Sequence, residues 1–298
     1  LGADRKACLE AAMALLETHL NITVDIRVQA QFIPLEGNAN SAILGGAGPI
    51  AGVNEFTNAP VSSTIFTIAQ ANQLFGSDIF SGSNDVDSVF NSDVDGTFVL
   101  GTTTWYYGTD GNVPADHIDF YSTAIHELCH GIGFLSYMIS STGVLGNGGG
   151  LMDIYTSFLR REGEGLVYRD YTAMSDAERA AGNISVDELV WKGVIVETEH
   201  GSKPLMYAPD PVEGGSSVSH WDKSNSPNLI MEPSATDAFT DISLERQLFD
   251  DIHWPLLAIS DLLHPDNVYI QFNAPSNGPG TIDPPFDNLS HAATASTT

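Results

Sequence analysis

FYSTAIHELCHGIGF, residues 120–134, switches from a strand-like lead-in to helical character. On a helix, residues four apart share a face, so His126 and His130 can point two imidazoles at one metal ion while Glu127 projects beside them. That arrangement suits zinc: the ion lowers the pKa of its water to about 7 and polarises a carbonyl, and a neighbouring carboxylate takes the proton and passes it on. Two ligands do not complete a catalytic zinc site, which takes three from the protein and leaves a fourth position open. A downstream glutamate is one source of the third, with Glu162, Glu164, Glu178 and Glu188 available. Gly133 argues for another, because a glycine there lets the chain turn sharply out of the helix. Among the histidines, His117, His200, His220, His253 and His264 can all be nominated. His200 and His264 lie in polar stretches with no apolar turn behind them, and His117 lies just ahead of the helix.

The short metzincin pattern H-E-x-x-H-x-x-G-x-x-H is not met, since Ser136 stands at its last position. With His126, Glu127, His130, Gly133 and Phe134 as they are, the sequence instead resembles the leishmanolysin family, a metzincin branch in which a long insertion separates the glycine from the third histidine. Ser219-His220-Trp221, followed by Met231 in LIMEP, is similar to the family's third-ligand and Met-turn segments. DDIHW at 250–254 looks like its Asp-Ile-Gly-Trp closing segment. The resemblance implies His220 as third ligand, Glu127 as general base, and Gly133 and Met231 as structural residues at the site. It further implies a zinc endopeptidase of metzincin-like α+β fold, a twisted sheet and active-site helix above an irregular C-terminal subdomain. Leishmanolysin is rich in disulfides and carries a further domain, so membrane anchoring and propeptide control are not carried over.

Outward from the motif, residues 4–20 have the apolar spacing of an amphipathic helix, and 22–29 alternate apolar and polar residues as a half-buried strand does. SVFNS and TFVLGTTTWYYG read as strands; Leu151–Arg161 and Ser175–Gly182 read as short helices, and ELVWKGVIVET as a strand or hairpin. STGVLGNGGG at 141–150 is a breaker. It divides an N-terminal subdomain, 1–140, from a C-terminal one, 141–260, with an extended tail over 261–298. Trp105, Tyr106 and Tyr107 are candidates for a substrate-binding edge strand ahead of the helix. Asp85, Asp87, Asp93 and Asp95 have a spacing that could converge on calcium, so Ca2+ is a second candidate ion beside Zn2+.

The 298 residues carry 38 acidic against 11 basic side chains, a formal charge of −27. Such a chain repels phosphate backbones and anionic lipid, and the peptidase resemblance implies a protein or peptide substrate, with a monomer expected. No stretch supplies the ~20 apolar residues of a membrane span, and phosphate-cradling loops and Gly-x-Ser-x-Gly elbows are absent. The start at Leu1 without a leader, and sequons at Asn21, Asn183 and Asn288, fit a secreted, extracellular protein from which earlier segments were removed. Cys8 and Cys129 read as two buried thiols or one bridge. Two other readings stay open: a thermolysin-like hydrolase with a glutamate ligand, and a non-catalytic zinc-binding module in which Glu127→Gln changes nothing.

Overall fold

The helix that bears the motif starts and stops where its sequence says it should. Asp119 caps it by accepting a hydrogen bond from the Ser122 N–H at 3.0 Å, and Thr123 Oγ1 donates to the Asp119 carbonyl at 2.9 Å. It ends at Gly133, whose φ of +139° suits only glycine. The carbonyl of the last helical residue, Ile132, accepts from Thr67 Oγ1 at 3.1 Å and from the Trp254 indole at 3.0 Å. Orphan helix-end acceptors are thus met by side chains from far along the chain.

In a computed structural model, residues 1–96, 98–163, 169–235, 238 and 241–257 are described. The expected tail over 261–298, with Asn288 and His264, lies outside them, as does Glu164. In chain order the elements are α1 (Gly2–Glu17), β1 (Val28–Ile33), β2 (Gly45–Pro49), β3 (Gly52–Val53), β4 (Thr64–Thr67), α2 (Ile68–Phe75) and β5 (Val86–Asn91). Then come β6 (Thr104–Tyr106), β7 (His117–Asp119) and the motif helix α3 (Phe120–Ile132). Shorter pieces follow: β8 (Met152–Asp153), β9 (Leu159–Arg161), β10 (Arg169–Asp170), α4 (Asp176–Gly182), β11 (Leu189–Trp191), α5 (Val194–His200) and α6 (Ser243–Asp251). The class is α+β, with small sheets. One has the order β1-β5-β2, with β1 parallel and β2 antiparallel to β5. The others are β3-β4-β8, β10-β9-β11 and the pair β6-β7.

Helix α3 lies against the first sheet and α1 packs on α3. The approach is close: a Cβ on Gly131 would come within 2.3 Å of Val86 Cγ1. Phe32, Phe90, Trp105 and Phe120 fill this layer, with ring centroids 4.9–5.5 Å apart for the contacts to Phe90 and Phe120. The same core continues under the later segments through Phe134, Tyr155, Trp191 and Trp221. Burying such rings contributes roughly 1.5–3 kcal/mol each.

Several expectations are corrected. The alternation over 22–29 appears as burial of Ile22, Ile26 and Val28, but only residues from Val28 onward form a strand. The Gln73 side chain takes the Thr23 and Val24 N–H groups that a ladder would need. Leu151–Arg161 is not one α-helix: Asp153 accepts from the Thr156 and Tyr137 N–H groups, and only a single 3-10 turn, Thr156–Phe158, stands between two short strands. ELVWKGVIVET is a strand only to Trp191, after which Gly193 starts α5. There a Cβ would fall 1.8 Å from Asp251 Oδ2, the carboxylate that binds the first N–H groups of that helix. Cys8 and Cys129 are both buried and free. The Asn183 side chain is buried and bonded to Tyr171 and Ser140, so its sequon is closed to a glycan in the folded protein, whereas Asn21 is exposed.

Candidate metal centre

His126, His130 and His220 come together: their Nε2 atoms form a triangle with all three sides 3.1 Å. Each Nδ1 meets a backbone carbonyl, that of Ile230 at 2.7 Å for His126, Phe134 at 2.7 Å for His130 and Ser216 at 2.8 Å for His220. A carbonyl can only accept, so each Nδ1 carries the proton and each Nε2 presents a bare lone pair to the other two. Burial lowers the pKa of all three rings, that of His130 to about 3 and that of His220 well below the ordinary value, so protons do not bridge them. Three converging lone pairs repel unless a cation lies among them. Metal–imidazole bonds of about 2.0–2.1 Å at tetrahedral angles would separate the nitrogens by ~3.3 Å, close to what is observed. The donor set therefore fits a divalent metal ion, and among the described residues it is the one such group of three or more. The carbonyl partners fix tautomer and ring direction as outer-shell groups do in metal centres.

The third imidazole is carried by an irregular segment held at many points. Tyr155 donates its hydroxyl to the Val218 carbonyl at 3.2 Å, and the Ser136 N–H donates to Ser219 Oγ at 3.1 Å. The Tyr207 N–H donates to the His220 carbonyl at 2.9 Å. Trp221 donates its backbone N–H to the Met231 carbonyl at 2.9 Å and its indole N–H to Glu245 Oε1 at 2.9 Å. Met231 is fully buried, directly after the residue whose carbonyl orients His126. The alternative glutamates among the described residues are engaged elsewhere. Glu162 pairs with Arg160 and Lys203, Glu178 closes the capping box of α4, and Glu188 pairs with Arg161.

Glu127 is buried and lines the same cleft as the imidazoles, and its carboxylate accepts from the Ala47 N–H. Burial raises its pKa to about 8. The strand that brings Ala47 there is β2, which among the described residues pairs with β5 on one side only and lines the cleft with Gly45, Gly46 and Ala47. Gly45 passes over the carboxylate so closely that a Cβ would be 3.1 Å from Glu127 Cγ and Oε1. The cleft has a volume of about 1510 Å³ and runs from residues near Ser41 past His117 and Gly215 to Pro233. Among the described residues that line it there is no Lys or Arg.

Trp105, Tyr106 and Tyr107, expected at the substrate edge, do not line it. Trp105 is buried with its indole donating to the Asn91 carbonyl, Tyr107 bonds Asp95, and Tyr106 bonds Asp110. The aspartates expected to gather calcium are likewise not brought together. Asp85 is buried against the Arg27 N–H and the Asn72 amide, Asp87 faces solvent, Asp93 accepts from the Glu36 N–H, and Asp95 pairs with Arg5. Sequence reasoning missed β2 and Glu245. The glycine run LGGAGP at 44–49 was the available signal for the former, whereas nothing local marks the latter. Among the described residues, no helix is long and apolar enough to cross a membrane. Comparison of the chain with known protein families, curated proteins and solved structures gives no match.

Proposed function

We propose that the chain is a zinc-dependent endopeptidase of metzincin-like architecture, most similar in its motifs to the leishmanolysin branch, acting on extracellular polypeptides. The observation that carries this reading is the triangle of imidazole lone pairs with Glu127 beside it in one open cleft. An all-imidazole donor set suits zinc among the available divalent ions. When bound, zinc supplies Lewis acidity, polarising a peptide carbonyl and bringing water into nucleophilic range near neutral pH.

The chain's own groups do the rest. The Glu127 carboxylate accepts a proton from the attacking water and returns it to the departing amine. The free edge of β2 offers backbone donors and acceptors to an extended peptide, which would lie as a further strand of the sheet. A cleft of about 1510 Å³ exceeds the roughly 300–1,000 Å³ of small-ligand pockets, which favours a polypeptide lying through it.

The test is cleavage of a denatured protein with and without chelator, followed by zinc restoration. Glu127→Gln is expected to keep its zinc and lose turnover by about 10³-fold or more, and His220→Ala to lose the metal. Undiminished cleavage by Glu127→Gln, or by chelated protein, would refute the assignment.

A further inference from the structure

Glu245 is 1% exposed, lies in the first turn of α6, and bonds nothing in the cleft. Its Oε1 accepts from the Trp221 indole at 2.9 Å, and the Met231 N–H is directed at the same carboxylate, favouring its ionised form. Trp221 is the neighbour of one imidazole donor, His220. Met231 is the neighbour of Ile230, whose carbonyl sets the tautomer of another, His126. Trp221 and Met231 also bond each other, Trp221 N–H to Met231 carbonyl. One buried carboxylate thus closes a three-cornered arrangement over two segments that have no regular secondary structure of their own. It reaches the motif helix as well, where its charge is felt by Cys129, between the two helical histidines.

We infer that Glu245 is a positioning residue for the metal centre: by gripping Trp221 and Met231 together it holds His220 and His126 at metal-binding separation. The inference rests on the metal reading of the three imidazoles. Its chemistry is specific to a carboxylate. Two N–H groups, one from an indole and one from a backbone, converge on a side chain that in its ionised form only accepts. Burial raises its pKa to about 7, and the two donors favour the ionised form against that burial. Glutamine at 245 would remove the charge and turn one of the two acceptor atoms into a donor, weakening the hold on the two segments.

The experiment measures zinc affinity in the full chain by competition with a chelating dye, beside Tm of the metal-free protein. Glu245→Gln is expected to weaken zinc binding by about 10–100-fold, the range seen when an outer-shell partner is lost. Trp221→Phe, which keeps the ring and removes only the indole donor, is expected to do the same in part. The double variant should lose less than the product of the two single losses, because they break one shared contact. Arg179→Met serves as the control for destabilisation alone: it removes a buried guanidinium that donates to the Gly143 and Tyr171 carbonyls, outside the cleft. It should lower Tm and leave zinc affinity unchanged. Glu245→Gln and Trp221→Phe binding zinc as the unaltered chain does, or Arg179→Met losing as much zinc affinity as they do for a comparable fall in Tm, would overturn the inference. An unaltered chain that binds no zinc would instead remove the metal reading beneath it.

Discussion

Two neighbouring glycines in β2 allow a sharp test of how Glu127 is held. A Cβ at Gly45 would stand 3.1 Å from both Glu127 Cγ and Oε1, and 3.1 Å from the Val89 carbonyl. Ordinary carbon contacts begin at about 3.5 Å, so alanine at 45 must displace the strand or the carboxylate by roughly 0.4 Å. The Val89 carbonyl belongs to the sheet and yields little, so the carboxylate takes most of the shift. Misplacing a catalytic group by 1 Å costs about 10²-fold, so a shift of this size should lower kcat about ten-fold. KM and zinc content should change little. At Gly46 a Cβ would meet nothing nearer than Val89 Cγ2 at 3.9 Å, so Gly46→Ala should keep near-normal kcat. Steady-state cleavage of a quenched fluorescent peptide, with zinc quantified on the same samples, separates the two variants. Equal kcat for Gly45→Ala and the unaltered chain, or equal losses in both variants, would refute the argument that strand proximity fixes the carboxylate.

Other consequences are open to measurement. Asp251 accepts from the Trp191 indole at 3.0 Å and from the Ile195 and Val196 N–H groups at 3.0 and 3.2 Å. Asp251→Ala strands three donors and should cost about 3–5 kcal/mol, a fall in Tm on the order of 10 °C by calorimetry. Burial raises the Asp85 pKa to about 6, so the folded state holds its proton to higher pH than the unfolded chain does. The resulting stabilisation is full below about pH 4 and is lost as pH rises through about 6. Urea midpoints at pH 4 and 6 should therefore differ less in Asp85→Asn than in the unaltered protein, by on the order of 2 kcal/mol. If the two proteins lose stability in parallel over that range, Asp85 is not the group responsible. A chain of charge −27 whose cleft lining has no Lys or Arg should prefer cationic peptides by about ten-fold in kcat/KM over matched anionic ones. Raising ionic strength should shrink that ratio toward one, and a salt-independent ratio would rule out steering.

The sequence was most legible where local chemistry and tertiary structure agree. The caps of α3 at Asp119 and Gly133, and the capping box of α4 at Ser175 and Glu178, are written in adjacent residues. The His126–Glu127–His130 face follows from helix period alone. His220 could be singled out only by resemblance, because its place depends on contacts to Tyr155, Ser136 and Tyr207 from elsewhere in the chain. Misreadings arose where a distant side chain captured backbone groups. Gln73 did so at Thr23 and Val24, and Asp251 did so at the start of α5. Trp105 looked like a substrate contact because aromatic residues on a strand suit either face, and its bond to the Asn91 carbonyl turns it inward. The edge that does line the cleft is nearly devoid of side chains, so no hydrophobic pattern could announce it.

The Ile132 carbonyl, clasped by Thr67 on one side and Trp254 on the other, ties the motif helix to residues 187 positions apart in the chain. Leu20 bridges Leu256 and the Asn21 N–H bonds the Pro255 carbonyl, so the opening and closing stretches of the described chain meet as well. During synthesis, then, a ribosome must release almost all of this stretch before the helix can be locked. Contacts of such long range form slowly, and a nascent chain halted ahead of Trp254 would carry the first two histidines without a finished site. The three-imidazole centre is therefore among the last parts of the described chain to be completed.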